Sequence, residues 1–197
     1  VPSISLKNTR VTSFRLYFII IDLPLAYYMQ DLYQIMTCWH EICSSNIMDN
    51  VKFHLHKIFR ETEDVVFYDI SVSGSNASDL VIHETAATSP PDDVNGNKQF
   101  YIHYHQIDNN RVISGERTFE LVNFDWEKPY LIIHLKRDDG ALVIPKGTFH
   151  RSVSGLTGSV VINQAIRDDS FKAEVEFKPI SICDNIKLNE IILNTKP

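Results

Sequence analysis

The sequence predicts a mostly β protein, a sandwich or barrel of short strands preceded by a helical N-terminal elaboration. From about residue 64 apolar residues alternate with period two, in runs such as "DVVFYDISVSG", "DLVIHET", "QFYIHYHQ", "RTFELV", "PYLIIHLK" and "SVVINQAI". Turn signals separate these runs, among them "GSNAS", "TSPPDDVNGN", "RDDG", "PKGT" and "GLTG". Many short strands with regular turns mean a sandwich or barrel. Before residue 64 the pattern is helical: Leu32, Ile35, Met36, Trp39 and Ile42 fall at steps of three and four, the apolar stripe of one helix. The expected organisation is residues 1–63 as strand and helical elaboration and residues 64–197 as the barrel.

The N-terminal run "SFRLYFIIIDLPLAYYM" has basic residues before it and an apolar core. Asp22 and Pro24 interrupt it, and it is too short and polar to span a bilayer. It reads as a β-branched strand leading into the helix, not as a signal peptide. Helical spacing continues over residues 25–60, with a break at Ser44, Ser45 and Asn46. The second part holds His54 and His56, which share a face only on a strand. Further along, "ATSPPDDVNGNK" is the most loop-like stretch and marks a long connection.

Composition narrows the function classes. The chain has 197 residues, of which 44% are hydrophobic and 22% charged. That suffices for one domain with a full core. A formal net charge of -6 argues against nucleic acid and against anionic membranes. Cys38, Cys43 and Cys183 are few and odd in number, and they read as free thiols of a reducing, cytoplasmic compartment, Cys38 and Cys43 as buried thiols and not metal ligands. The sequon Asn76-Ala77-Ser78 is too common by chance to move the chain outside the cell.

The chemistry sits in "YIHYHQIDNNRVISG" and "IPKGTFHRSVSG". On a strand, residues i and i+2 face one way, so His103 and His105 are expected to project together, with Tyr101 behind them. Two such imidazoles can both reach one ion at about 2.0–2.1 Å. A third ligand is expected from His150, which follows the Pro145–Gly147 turn. Arg111, Arg117 and Arg151 could converge on an anionic substrate, because arginine reads carboxylates bidentately; barrel arginines also make structural ion pairs. Tyr101 could be a pocket acid or a stacked aromatic.

These two segments resemble the cupin family. Its first motif is an HxH pair, a glutamate three or four residues on, and a glycine; its second is PxGxxH. Here the first reads His103-Tyr104-His105, then Asn109 at the glutamate position, ending at Gly115. The second reads Pro145-Lys146-Gly147-Thr148-Phe149-His150. The resemblance covers residues 98–166. Within the family, Arg111 two residues after Asn109 and Arg151 directly after His150 look most like the acireductone dioxygenases. The resemblance implies a cupin-like jelly-roll barrel holding one divalent metal through His103, His105, Asn109 and His150. Tyr101, Arg111 and Arg151 are the catalytic candidates around it.

Iron heads the expected metals, with zinc, nickel or manganese as alternatives, since ligand type does not choose among them. The expected activity is that of an iron-dependent dioxygenase, an oxidoreductase acting on a small organic substrate. One alternative is a metal-assisted isomerase or epimerase of a sugar-like compound, in which a base moves a proton beside a polarised carbonyl. Another is a barrel that binds a small ligand without reaction. Asn109 is expected near the ion, in competition with Asp108, which strand alternation turns the other way. A homodimer could form through exposed sheet edges.

Overall fold

The computed structural model describes residues 50–195. The expected N-terminal strand, the helical stripe Leu32–Ile42, Cys38 and Cys43 lie outside the described residues. A compact unit begins at Val51. Its elements are β1 (Lys52–His54), β2 (Lys57–Glu61), β3 (Val66–Asp69), β4 (Ala77–His83), β5 (Thr88–Ser89), β6 (Gln99–Ile102), β7 (Gln106–Val122), β8 (Tyr130–Lys136), β9 (Ala141–Ile144), β10 (Phe149–Arg167), α1 (Ala173–Glu176), β11 (Ile180–Ser181) and α2 (Ile186–Asn194). This is the mostly β, cupin-type jelly-roll that the motifs implied. No described helix is long and apolar enough to cross a membrane.

Two long strands organise the barrel. β7 and β10 pair antiparallel with each other over most of their length. β7 also pairs β9 through residues 108–111 and β8 through residues 116–122. β10 also takes β6, β5 and β4 in turn. The turn signal "GLTG" does not end a strand. It becomes a bend inside β10, where the register jumps between Ser154 and Ser159. Gly115 and Gly158 face each other across that bend, both with positive φ, and a Cβ on Gly115 would strike the Gly158 carbonyl.

Alternation then divides the side chains. Val112, Phe119, Leu121, Ile133, Leu135, Leu142, Ile144 and Val161 fill the barrel interior. Phe100, Ile102, Val122 and Phe149 point to the other side, where Leu188 and Ile192 of α2 cover them. Asn185 caps α2, its side chain accepting from the Leu188 N–H at 3.0 Å. The helical reading of residues 50–60 fails: β1 pairs β9, and β2 pairs β3 as a separate hairpin. Val51 and Phe53 pack against the interior cluster, so tertiary burial overrides the local helical spacing.

Candidate active site

One end of the interior is polar. His150 lies directly opposite Leu121 on the interior face, and Asp108 lies opposite Ile144. His103 follows the end of β6. The three are buried, at 4%, 3% and 8% exposure for His103, Asp108 and His150. Asp108 Oδ2 stands 3.6 Å from His103 Nε2 and 3.6 Å from His150 Nε2. The two imidazole centroids are 4.8 Å apart. All three residues offer an atom within 4.8 Å of the others.

The rest of the shell fixes this arrangement. Asp108 Oδ1 accepts from Gln106 Nε2 at 2.6 Å and from Asn163 Nδ2 at 2.8 Å, leaving Oδ2 for the histidines. His150 Nδ1 sits 3.2 Å from the Thr148 carbonyl, an acceptor only, so Nδ1 carries the proton and the Nε2 lone pair faces Asp108. Glu176 closes the site from α1. It is 2% exposed, its Oε2 accepts from the Tyr104 and His105 N–H groups at 2.9 and 3.2 Å, and it lies 3.6 Å from His103 Nδ1. Burial and the neighbouring His150 hold the His103 pKa below its usual value, against the opposing pull of Asp108 and Glu176. The Tyr101 ring stacks near His103, with centroids 6.4 Å apart, and Phe177 meets His103 edge-on at 5.1 Å.

Of the expected residues, His103, His150 and Tyr101 come together. His105 and Asn109 do not join them. β6 ends at Ile102 and β7 begins at Gln106, so the HxH pair spans a bend where strand alternation has no force. His105 turns outward, its Nδ1 3.0 Å from Asp168 Oδ1. Asn109 is on the opposite face of β7 from Asp108, donating to the Gln164 carbonyl at 2.7 Å. Arg111 and Arg151 also face away from the two histidines. Arg151 opposes Glu120 on β7 and reaches Asp92 at 3.0 Å. Arg117 lies at the bend, donating to Ser159 Oγ at 2.9 Å. Glu176 escaped the sequence reading because nothing marks a lone glutamate some seventy residues beyond the motif that it closes.

No family model matches the chain, and no curated protein matches it. Solved structures do. A dTDP-4-dehydrorhamnose 3,5-epimerase from Elizabethkingia anophelis matches with TM-score 0.51 and 11% identity, over 66% of this chain and 75% of that one. A dTDP-6-deoxy-D-glucose-3,5-epimerase from Legionella pneumophila, in complex with dTDP-4-keto-L-rhamnose, matches with TM-score 0.50 and 13% identity, over 68% and 73%. A dTDP-4-dehydrorhamnose 3,5-epimerase from Bacillus anthracis, with TDP and PPi bound, matches with TM-score 0.50 and 14% identity, over 69% and 81%.

At such identities the likeness is one of fold. It agrees with the cupin reading and not with the closer resemblance to acireductone dioxygenases, whose two arginines here face away from the histidines. It also corrects two expectations. The four-ligand iron or other divalent metal centre does not assemble, because His105 and Asn109 point away from His103 and His150. The iron-dependent dioxygenase reading goes with it, since the matched folds are those of sugar-nucleotide epimerases.

Proposed function

We propose that this barrel is an epimerase or isomerase of a keto-sugar, moving a proton at a carbon beside the carbonyl. The observation that carries the reading is the buried pair His103 and His150 sharing one oxygen of Asp108 at 3.6 Å each. A neutral imidazole Nε2 takes the proton from the carbon, and the electron pair moves to the carbonyl oxygen as an enolate. The carbon is then protonated on its other face for epimerisation, or the neighbouring position is protonated for isomerisation. The second imidazole, its centroid 4.8 Å from the first, lies on the same side and is placed to return the proton to the neighbouring position in isomerisation; epimerisation takes its proton from a donor across the sugar ring. Asp108 stabilises whichever ring is charged, and Tyr101 is the wall residue with a hydroxyl to offer the enolate. Burial keeps competing water out.

The matched epimerases act on dTDP-linked sugars, which makes a dTDP-linked 4-keto sugar the substrate class to try first. The test is product formation from dTDP-4-keto-L-rhamnose followed by NMR. The wild-type chain is expected to change the sugar's configuration, and His150→Asn to lose about 10²–10⁴ of the rate. Full activity in His150→Asn, with the fold intact, would reject the assignment. A homodimer belongs to the same proposal. β4 pairs only β10 among the described residues and exposes Leu80 and Ile82 beside its free edge. A monomer mass by light scattering at micromolar concentration would count against it.

A further inference from the structure

We propose that Arg167 is a positioning residue for the proton-transfer site: acting through Gln106, it fixes the Asp108 carboxylate in the direction the two histidines need. The proposal rests on the proton-transfer reading. Arg167 is the last residue of β10 and lies directly opposite Gln106, the first residue of β7. Its Nε donates to Gln106 Oε1 at 2.6 Å, and Gln106 Nε2 donates to Asp108 Oδ1 at 2.6 Å. Asp108 Oδ2 then stands 3.6 Å from each imidazole. Gln106 is 1% exposed, so water does not compete for its amide.

The direction of this chain follows from which groups can donate. An amide has one accepting and one donating end, nearly alike in shape, and its partners decide which way it points. A guanidinium only donates. Arg167 therefore takes the oxygen of Gln106, and the NH2 group is turned on Asp108. Asp108 Oδ1 must accept there, which bars a proton from that oxygen and leaves Oδ2 to the histidines. The other donor to Oδ1, Asn163 Nδ2 at 2.8 Å, is directed in the same way: its own Oδ1 accepts from the Asn109 N–H at 2.9 Å. A backbone group anchors Asn163 and a side chain anchors Gln106, so Arg167 is the anchor that a substitution can remove.

Arg167 is itself held. Asn76 brackets its backbone, accepting from its N–H at 2.9 Å and donating to its carbonyl at 2.8 Å. Its Nη2 donates to Asp79 Oδ2 on β4 at 2.7 Å, and its guanidinium lies 4.4 Å from the centre of the Phe171 ring. A direct pair between Arg167 and Asp108 would have neutralised the carboxylate. The intervening amide passes on the orientation, while Asp79 meets the guanidinium charge and the Asp108 charge stays with the imidazoles.

The test joins kinetics to ring-nitrogen NMR, which needs no turnover. His150, Asp108 and Glu176 are the titratable groups that act on His103, and Tyr101 and Phe177 lie against its ring. With the Gln106 donor lost, the charge on Asp108 is less spread and pulls harder on the His103 proton. In Arg167→Met the His103 titration midpoint should therefore rise by about half a unit. On dTDP-4-keto-L-rhamnose, kcat should fall about tenfold, the scale of one charge-assisted hydrogen bond, with KM unchanged. Arg167→Lys, which keeps a donor for Gln106 and a charge for Asp79, should restore most of both. Gln106→Met, which removes the amide itself, should reproduce Arg167→Met. An unmoved midpoint or an unchanged kcat in both methionine variants would overturn the proposal, as would equal losses in Arg167→Lys and Arg167→Met. Should Arg167→Met lose cooperative melting, Gln106→Met decides. A wild-type chain without turnover would reject the proton-transfer reading, and the midpoint alone would then decide whether Arg167 directs Asp108.

Discussion

Asp108 takes two amide donors on one oxygen and turns the other to two imidazoles. Burial, and the neighbouring His150 second, outweigh the pull of that carboxylate and of Glu176 and give His103 its predicted pH behaviour. Folding lowers its pKa, so below the ordinary value of 6.5 the unfolded chain binds the proton more readily than the folded one. Stability is therefore full above about pH 6.5 and falls as pH drops toward the lowered value. His56 and His83 are lowered by burial first and by nearby arginines second, and act in the same direction. Urea midpoints measured from pH 8 to pH 5 should fall, and His103→Asn should flatten part of the fall. A midpoint independent of pH would contradict the burial argument. The proton-transfer rate should likewise keep its neutral base to a pH below the usual histidine range.

At the scale of elements, legibility followed backbone regularity. Period-two runs located β4, β8 and β9, and PxGxxH placed His150 at the start of β10, where its neighbours on the strand fix its direction. His105 was misplaced because the HxH pair looks like a strand and is a bend: hydrogen bonds from Gly147 N to His103 O and from Asp168 N to His105 O hold the chain there. Those partners are some forty and sixty residues away, beyond any local pattern. The same bend explains why Asp108 and not Asn109 meets the histidines, since β7 starts its own alternation at Gln106. Likewise "GLTG" read as a turn between two strands and became a bend in one. Gly158→Ala should cost about 2 kcal/mol or more, because its φ is +79° and the new Cβ would strike the His83 carbonyl. Thermal melting checks this, and an unchanged midpoint would show that the bend yields freely.

At the scale of the molecule, the barrel interior is apolar along most of its length and gathers one carboxylate, two imidazoles and a capping glutamate at one end. Leu121, fully buried and directly opposite His150, joins the two regions. Leu121→Ala should destabilise by about 2–5 kcal/mol, read from urea unfolding. The proton-transfer account also predicts that activity survives prolonged chelation; loss on chelation with recovery on adding one divalent ion would assign His103, Asp108 and His150 to a metal instead. The most direct test is exchange at carbon. A dTDP-linked 4-keto sugar incubated in D2O with the protein should take up deuterium beside the carbonyl, seen as loss of that proton's NMR signal. Both His103→Asn and His150→Asn should slow this uptake at least about a hundredfold while still melting cooperatively. No uptake above the enzyme-free rate with the wild-type chain, or undiminished uptake in both variants, would contradict the account.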